Sequence, residues 1–160
     1  MKRRGGNHLD HVARHWANQA AEALFQAAHD EENHVLVAVS GYRSYETQVI
    51  THNYFINTMG EQEAIRVSAR PGHSEHQLGL ALDVTIHALG NLTSLFSSTD
   101  EGIWLQNNAH RFGFIIRYPA DREADTGYIY EPWHIRYVGI EVATEIFGSD
   151  MILEDFLAIN

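Results

Sequence analysis

The chain has 160 residues, enough for one domain with a sizeable core and too few for two comfortable ones. Hydrophobic residues make up 44% and charged residues 20% of the sequence, which is ordinary for a globular protein. The formal net charge of −10 argues against nucleic acid or an anionic membrane surface as a partner, because both attract clustered Lys and Arg. There is no Cys, which excludes disulfides, thiolate zinc sites and a Cys nucleophile.

Periodicity and turn residues predict helices first and last, with strands between them. Apolar residues recur every four positions over 10–31, which predicts a helix capped by Asn7 or Asp10. Short β-branched runs predict strands, and Gly60 and Gly113 are expected to end helices. In chain order, we expect a helix over 10–31, a strand over 35–39, helices over 45–59 and 61–67, a strand over 80–86, a helix from 99 or 100 to about 111, a strand over 114–118, an extended segment over 129–138, and short helices over 141–147 and 152–159.

Short connections join these elements, and loops are predicted over 70–73, 87–98 and 119–126. Helices at both ends of a chain with strands between them are typical of an α+β fold. We therefore expect a small, mainly antiparallel sheet with helices packed around it.

His76 and Asp83 stand near each other, with a glycine between them. Gly79 and the β-rich sequence around Asp83 favour a loop carrying His76 that turns into a strand carrying Asp83. An Asp inside a buried strand needs a partner, because an unpaired buried carboxylate is costly, and a metal ion would supply one. The alternative is that Asp83 pairs with an Arg and His76 lies on the surface.

Glu131 and His134 form a second pair around Pro132. Two residues three apart in a regular strand point to opposite faces, so both reach one centre only if the backbone bends or bulges, for which Pro132 is a plausible place. Trp133 then packs in the core or forms a wall of a cleft. The two segments together supply two His, one Asp and a spare Glu. A catalytic zinc site needs three ligands, an open position for water and a base for the water's proton.

These segments resemble the motifs of a known peptidase family. The chain carries, in order, the motifs Ser74-x-His76-x-x-Gly79-x-Ala81-x-Asp83 and Glu131-x-Trp133-His134. The pair is similar to that of the zinc peptidases grouped with VanY-type D-alanyl-D-alanine carboxypeptidases. That group includes VanX D,D-dipeptidases, LdcB-type L,D-carboxypeptidases and the metal-binding domain of Hedgehog proteins. Residues 40–44 and the residues that flank both motifs look most like the VanY and LdcB branch. The similarity extends over about residues 37–139.

The resemblance implies roles for seven residues. One Zn²⁺ ion would be held by three ligands: His76, Asp83 and His134. Glu131 would be the catalytic base, and Arg43 would contact the scissile carbonyl and its oxyanion. Gln48 and Ser74 match positions that help to bind the peptide's C-terminal D-alanine in the L,D-type enzymes. A Glu that moves protons and an Arg that offers fixed charge suit this chemistry on general grounds as well.

The expected protein is therefore a zinc metallopeptidase with a Hedgehog/D,D-peptidase-like fold, in a single domain over 1–160 with its motif-bearing core at about 37–139. The expected activity is removal of terminal D-alanine from peptidoglycan stem peptides or their precursors, with D,D or L,D preference or both. The alternatives are an endopeptidase or D,D-dipeptidase of the same chemistry, and a zinc-binding module without activity. Glu131 and Arg43 argue against the last of these.

The N-terminus lacks the signal or anchor usual in the family. Residues 2–4 are charged, but no apolar segment follows them, and no run in the chain approaches the roughly 18 apolar residues of a membrane span. We expect a protein on the cell-wall side of the membrane if the chain is part of a longer one, and a cytoplasmic protein if Met1 is its native start. The sequence gives no sign of the oligomeric state.

Overall fold

The structure, a computed structural model, describes residues 8–159 of the backbone and the side chains of residues 12–159. Its helices and strands are α1 His8–Glu32, β1 Val37–Ser40, α2 Tyr45–Met59, α3 Glu61–Val67, β2 Ala81–Thr85, α4 Asp100–Asn108, β3 Phe114–Tyr118, α5 Glu123–Thr126, β4 Glu131–Tyr137, α6 Ile140–Ser149 and α7 Leu153–Ile159. Short 3₁₀ turns occupy Glu75–Leu78, Ser94–Ser98 and Ala109–Phe112.

The predicted α+β fold is confirmed, with differences at a few element ends. The helix expected to reach residue 111 ends at Asn108 and continues as a tighter 3₁₀ turn, which Gly113 closes with a φ of +82°. The loops expected over 87–98 and 119–126 contain a 3₁₀ turn and the one-turn helix α5. The proposed cap Asn7 lies outside the described residues.

The four strands form an antiparallel sheet in the order β1-β2-β4-β3. Successive side chains of a strand point to opposite faces. Val84 and Ile135 accordingly lie in the fully buried core on one face, which leaves their neighbours Asp83 and His134 on the other. The sheet thus separates the hydrophobic core from a polar layer made by the same two strands.

The core lies between the sheet and the helices α1 and α4. Its buried members are Leu24, Ala28, Leu36, Val84, Ile86, Phe96, Trp104, Leu105, Ala109, Phe114 and Ile135. A second, smaller cluster, with Ile115, Ala143 and Ile146 at its centre, joins the C-terminal helices α6 and α7 to strand β3. Within residues 8–159, no helix combines the length and apolar composition needed to cross a membrane.

Candidate active site

Three polar residues lie in one row across the sheet. Asp83 on β2 pairs with Ser40 of β1 on one side and with His134 of β4 on the other. His76, in the 3₁₀ turn before β2, approaches the same place, so that ligand atoms of His76, Asp83 and His134 lie within 4.8 Å of one another. All three side chains are buried. The structure therefore brings together the three residues that the sequence suggested as metal ligands.

Strand β4 contains the irregularity that the sequence demanded near Pro132. Ile116 pairs with Ile135 and Tyr118 pairs with Glu131, so a step of two residues on β3 faces a step of four on β4. The extra residues bulge the strand, which lets Glu131 and His134 turn to the same side. The Glu131 Oε2 atom lies 3.9 Å from His134 Nδ1.

A tight turn and helix α1 hold the loop that carries His76. Gly79 has a φ of +71°, a left-handed conformation that glycine adopts without strain. An added Cβ there would lie only 3.0 Å from the side chain of Arg14 on α1. The Arg14 Nε atom donates a hydrogen bond of 2.7 Å to the Leu78 carbonyl. Helix α1 thereby braces the turn between His76 and the strand that carries Asp83.

The loop after β1 fixes the orientation of His76. The His76 Nδ1–H group donates a 2.7 Å hydrogen bond to the Gly41 carbonyl, and the Arg43 backbone N–H donates one of 3.0 Å to the His76 carbonyl. The Nε2 atom is not engaged by the backbone, lies 3.3 Å from Asp83 Oδ2, and is the nitrogen that a metal ion could bind. This outer hydrogen bond is of the kind that orients metal-ligating histidines.

His134 is held in the complementary way. Its Nδ1 atom lies 3.0 Å from Asp83 Oδ1, and its Nε2 atom lies 3.4 Å from Glu75 Oε2. Each histidine thus turns one nitrogen towards Asp83 and gives the other to an acceptor outside the cluster. Two imidazoles and one carboxylate in this arrangement fit a Zn²⁺ ion, which would be held by His76 Nε2, His134 Nδ1 and an Asp83 oxygen.

Asp83 is a buried carboxylate that stays ionised. Burial acts to raise its pKa, but hydrogen bonds from His134 and His76 outweigh burial and hold the pKa of Asp83 well below its usual range. Arg43 also approaches, with Nη2 at 3.6 Å from Asp83 Oδ2. The alternative interpretation paired Asp83 with an Arg and placed His76 on the surface. The Asp–Arg contact is present alongside the histidine contacts, but the surface position is wrong because His76 is buried.

Glu131 is buried with weaker compensation. Burial raises its pKa to about 7, with the negative charges of Asp83 and Glu75 acting in the same direction and the positive charges of His134 and Arg43 acting against it. A carboxyl group with a pKa near neutrality can accept and return a proton under ordinary conditions. Its environment therefore suits a general base.

Arg43 is fixed by its neighbours and lines the same cleft. Its Nη1 donates to Gln48 Oε1 at 2.9 Å and its Nη2 donates to Ser40 Oγ at 2.9 Å. The Gln48 side chain is fully buried, and its Nε2 donates to the Ala69 carbonyl at 2.7 Å. Gln48 therefore holds Arg43 in place, and it lines the cleft itself. Ser74, which is buried, lines the cleft directly.

The cleft above the metal ligands has a volume of about 370 Å³. Beyond the polar centre its wall is mostly apolar and aromatic, formed by Phe55, Met59, Val67, Ala69, Leu92, Tyr118, Tyr128, Ile129 and Trp133. Trp133 also packs against the core, so both roles weighed for it hold.

Sequence reasoning missed residues that support His134. Tyr118 stacks on its ring, with centroids 5.0 Å apart, and Glu75 contacts its Nε2. Glu75 itself contacts Arg117 and Arg136. Burial, with the nearby charge of Glu75, keeps the pKa of Tyr118 far above its ordinary value, so its phenol stays neutral. The available signals were the position of Glu75 beside a ligand, and two charged residues, Arg117 and Arg136, inside segments predicted to be extended.

The fold and this site define a class of peptidase-like domains with two His, one Asp and a nearby Glu in a sheet-lined cleft. The family model for VanY, D-alanyl-D-alanine carboxypeptidase, matches residues 10–140. The chain belongs to this VanY family. The resemblance drawn from the two motifs is thereby confirmed.

Individual relatives agree with the family. YodJ of Bacillus subtilis (strain 168) is 46% identical over 141 residues, which cover 88% of this chain and 51% of YodJ. A solved structure of the LdcB LD-carboxypeptidase, described for its peptidoglycan recognition, is 44% identical with a TM-score of 0.82, and the match covers 89% of this chain and 67% of that one. A mutant of the vancomycin-resistance D,D-pentapeptidase VanY, in complex with Zn(II), is 35% identical with a TM-score of 0.78, covering 88% and 81% of the two chains.

The chain spans about half the length of the curated relatives it matches. The assignment of residues 1–160 to a single peptidase domain therefore stays a prediction.

Proposed function

We propose that this protein is a zinc-dependent carboxypeptidase that hydrolyses the terminal D-alanine from peptidoglycan stem peptides. The observation that carries the proposal is the convergence, in one cleft, of three metal-ligand residues, a buried carboxyl with a pKa of about 7 and an arginine fixed beside them. The family and the peptidase relatives described above support it.

The ligand residues would hold one Zn²⁺ ion: His76, Asp83 and His134. When bound, zinc supplies Lewis-acid activation of water and of a peptide carbonyl. The outer hydrogen bonds of His76 to Gly41 and of His134 to Glu75 keep one nitrogen of each ring available. The structure of the VanY relative with Zn(II) supports the choice of metal.

Glu131 is the proposed general base. Its carboxylate takes the proton of the attacking water and returns a proton to the leaving amine, for which a pKa near neutrality is suited. Only 7% of the residue is exposed, which limits the access of bulk water to this carboxylate.

Arg43 is the proposed stabiliser of the developing oxyanion. The hydrogen bonds from Arg43 to Gln48 and Ser40 hold the guanidinium in place before substrate arrives, so little reorganisation is needed when negative charge forms. Gln48 contributes to substrate binding by holding Arg43, and Ser74 is proposed to contact the carboxylate of the terminal D-alanine from the cleft wall.

The proposed partner is a peptidoglycan stem peptide, and the proposed place of action is the cell-wall side of the membrane. Support comes from the LdcB relative, whose structure is described in terms of peptidoglycan recognition.

Release of D-alanine from muramyl tetrapeptide and pentapeptide by the zinc-loaded protein tests the function. Release from the tetrapeptide would indicate L,D-carboxypeptidase activity, and release from the pentapeptide alone would indicate D,D activity. Cleavage of free D-alanyl-D-alanine into two D-alanine molecules, with neither muramyl peptide cleaved, would instead identify a D,D-dipeptidase. If zinc binds with one ion per chain and neither peptide is cleaved, the proposed function is wrong. Glu123→Gln alters a carboxylate on α5 outside the cleft and should leave the rate unchanged. It is the control for the corresponding change at the proposed base, Glu131→Gln.

A further inference from the structure

Glu75 is a mostly buried carboxylate that contacts two arginines and a histidine. It lies in the 3₁₀ turn Glu75–Leu78, directly before the proposed ligand His76, and its side chain is only 13% exposed. Its Oε1 atom accepts a hydrogen bond from Arg117 Nε at 2.8 Å and forms an ion pair with Arg136 Nη1 at 2.9 Å. Its Oε2 atom lies 3.4 Å from His134 Nε2.

The chain of contacts continues to the C-terminal helix. Arg117 uses its remaining nitrogens for a two-point contact with Glu154 of α7, with Nη1 to Oε2 at 3.0 Å and Nη2 to Oε1 at 2.7 Å. Arg117 is mostly buried, with 11% of its side chain exposed. Helix α7 lies beyond residues 10–140, which the family model matches, yet it reaches the site through two ion pairs.

A buried network of this kind is costly to desolvate and contributes little to stability compared with apolar packing. Its geometry has a specific consequence. The carboxylate of Glu75 is fixed by two arginines, so its free oxygen is directed at one nitrogen of His134. The ring of His134 also stacks on Tyr118 at 5.0 Å. Its edge and its face are therefore both restrained.

Resting on the proposed function, we propose that Glu75 is a positioning residue for the metal site. Held by Arg117 and Arg136, it accepts the Nε2–H of His134 and so leaves Nδ1, the nitrogen that faces Asp83, as the one that can bind the metal ion. Glu154 of α7 extends this support by holding Arg117. The C-terminal helix thereby sets the affinity of the site for its metal without touching the metal or the substrate.

Zinc affinity measured by competition with a chromogenic chelator, with no substrate present, tests the proposal. Glu75→Gln removes the charge that the arginines hold and is expected to weaken zinc binding by about 10–100-fold, as outer-shell partners of metal ligands do. Glu154→Gln is expected to weaken it by a smaller factor, about threefold to tenfold. Near-ultraviolet circular dichroism of the metal-free variants checks that both are folded.

Glu31→Gln is the matched control for Glu154→Gln. Glu31 makes the same two-point contact, with Arg111 at 2.8 and 2.6 Å, and is as exposed as Glu154, but it lies on α1 away from the cleft. The zinc affinity of the Glu31→Gln protein should equal that of the unaltered protein. Unchanged zinc affinity in a folded Glu75→Gln protein would overturn the proposal. If Glu75→Gln does not fold, unchanged affinity in Glu154→Gln overturns it instead. Because no peptide is involved, a failure of the carboxypeptidase assay would leave this result standing.

Discussion

His134 has a glutamate on each side. Glu75 lies 3.4 Å from its Nε2 atom, and Glu131 lies 3.9 Å from its Nδ1 atom. Both carboxyls are mostly buried, and burial acts to raise the pKa of both. The pKa values of the two glutamates nevertheless shift in opposite directions. The pKa of Glu75 falls to about 2, whereas that of Glu131 rises to about 7.

The difference lies in how the positive charges are arranged. On the Glu75 side, a hydrogen bond from His134 and the charges of Arg117 and Arg136 outweigh the cost of burial. On the Glu131 side, Arg43 is bound to Gln48 and Ser40, and no arginine donates to the carboxyl among the hydrogen bonds of the described residues. One residue type thus serves as a permanent anion and as a proton acceptor within one cleft, which is how paired carboxyls take separate roles.

The largest expected effect is on catalysis. Glu131→Gln should lower kcat by about 10²–10⁴-fold, because an amide cannot accept the proton of water, while one zinc ion per chain is retained. At saturating zinc, Glu75→Gln should lose only about tenfold, because its effect acts through the metal ligand. Steady-state kinetics with zinc analysis measure both, and His134→Ala, which should lose zinc and activity together, completes the set.

Equal losses in the two variants at saturating zinc would remove the distinction between the two glutamates. An unaffected rate in Glu131→Gln would rule out its role as the base.

A second effect concerns Arg43. Arg43→Lys keeps a positive charge but loses the planar fork that Gln48 and Ser40 hold, so kcat/KM should fall by about 10²–10³-fold. Zinc affinity should change little. Arg66→Lys, which alters an arginine paired with Glu63 and Glu123 outside the cleft, is the control. A loss confined to KM would show that Arg43 only binds substrate and does not stabilise the transition state.

The third effect is on stability in acid. The pKa of Glu75 is lower in the folded protein than the ordinary value of 4.5, so its contribution to stability is complete above pH 4.5 and disappears as the pH falls towards 2. Across this window the metal-free protein should lose about 2–3 kcal/mol more unfolding free energy than Glu75→Gln does. Urea unfolding at a series of pH values measures the difference. Parallel curves for the two proteins would show that Glu75 is not held as an anion.

The smallest effects come from two ion pairs of the same geometry. Glu154 and Glu31 have similarly exposed side chains, at 37% and 39%, but the arginine of the first pair is 11% exposed and that of the second 42%. Glu154→Gln should lower the Tm by about 2–4 °C, because it leaves a buried charge with one partner fewer. Glu31→Gln should leave the Tm unchanged, since exposed pairs contribute little. Differential scanning calorimetry of the metal-free proteins compares them.

Much of the fold was predictable because the local signals were strong. Helix α2 begins after Ser44, which accepts a hydrogen bond from the Thr47 N–H, and ends before Gly60; its range and its end at Gly60 were both expected. The end of α4 was not, because the change from α-helix to 3₁₀ turn depends on how residues 109–112 pack against α1 and α6.

The proposed metal ligands, the base and Arg43 could be selected from motifs because each has a chemical type that a zinc site requires. The residues that hold these side chains in place could not be selected in this way. Glu75 meets Arg117 and His134 from 42 and 59 positions away, and no local pattern specifies such contacts. What the sequence did offer was indirect: a charged residue in a buried strand requires a partner, and the partner's identity depends on the sheet order.

The register between β2 and β4 has a consequence for variation among related chains. Asp83 and His134 are 51 positions apart in sequence, but they are direct neighbours on adjacent strands, about 4.8 Å apart in the hydrogen-bonding direction. The separation of these two side chains is therefore independent of the length of the chain between them. Insertions, deletions and new cleft walls can accumulate in the loops of that stretch without moving the centre. A slip of one residue in the pairing would turn a side chain of the pair to the core face. The loops can therefore change in length, whereas the register of the two strands cannot change.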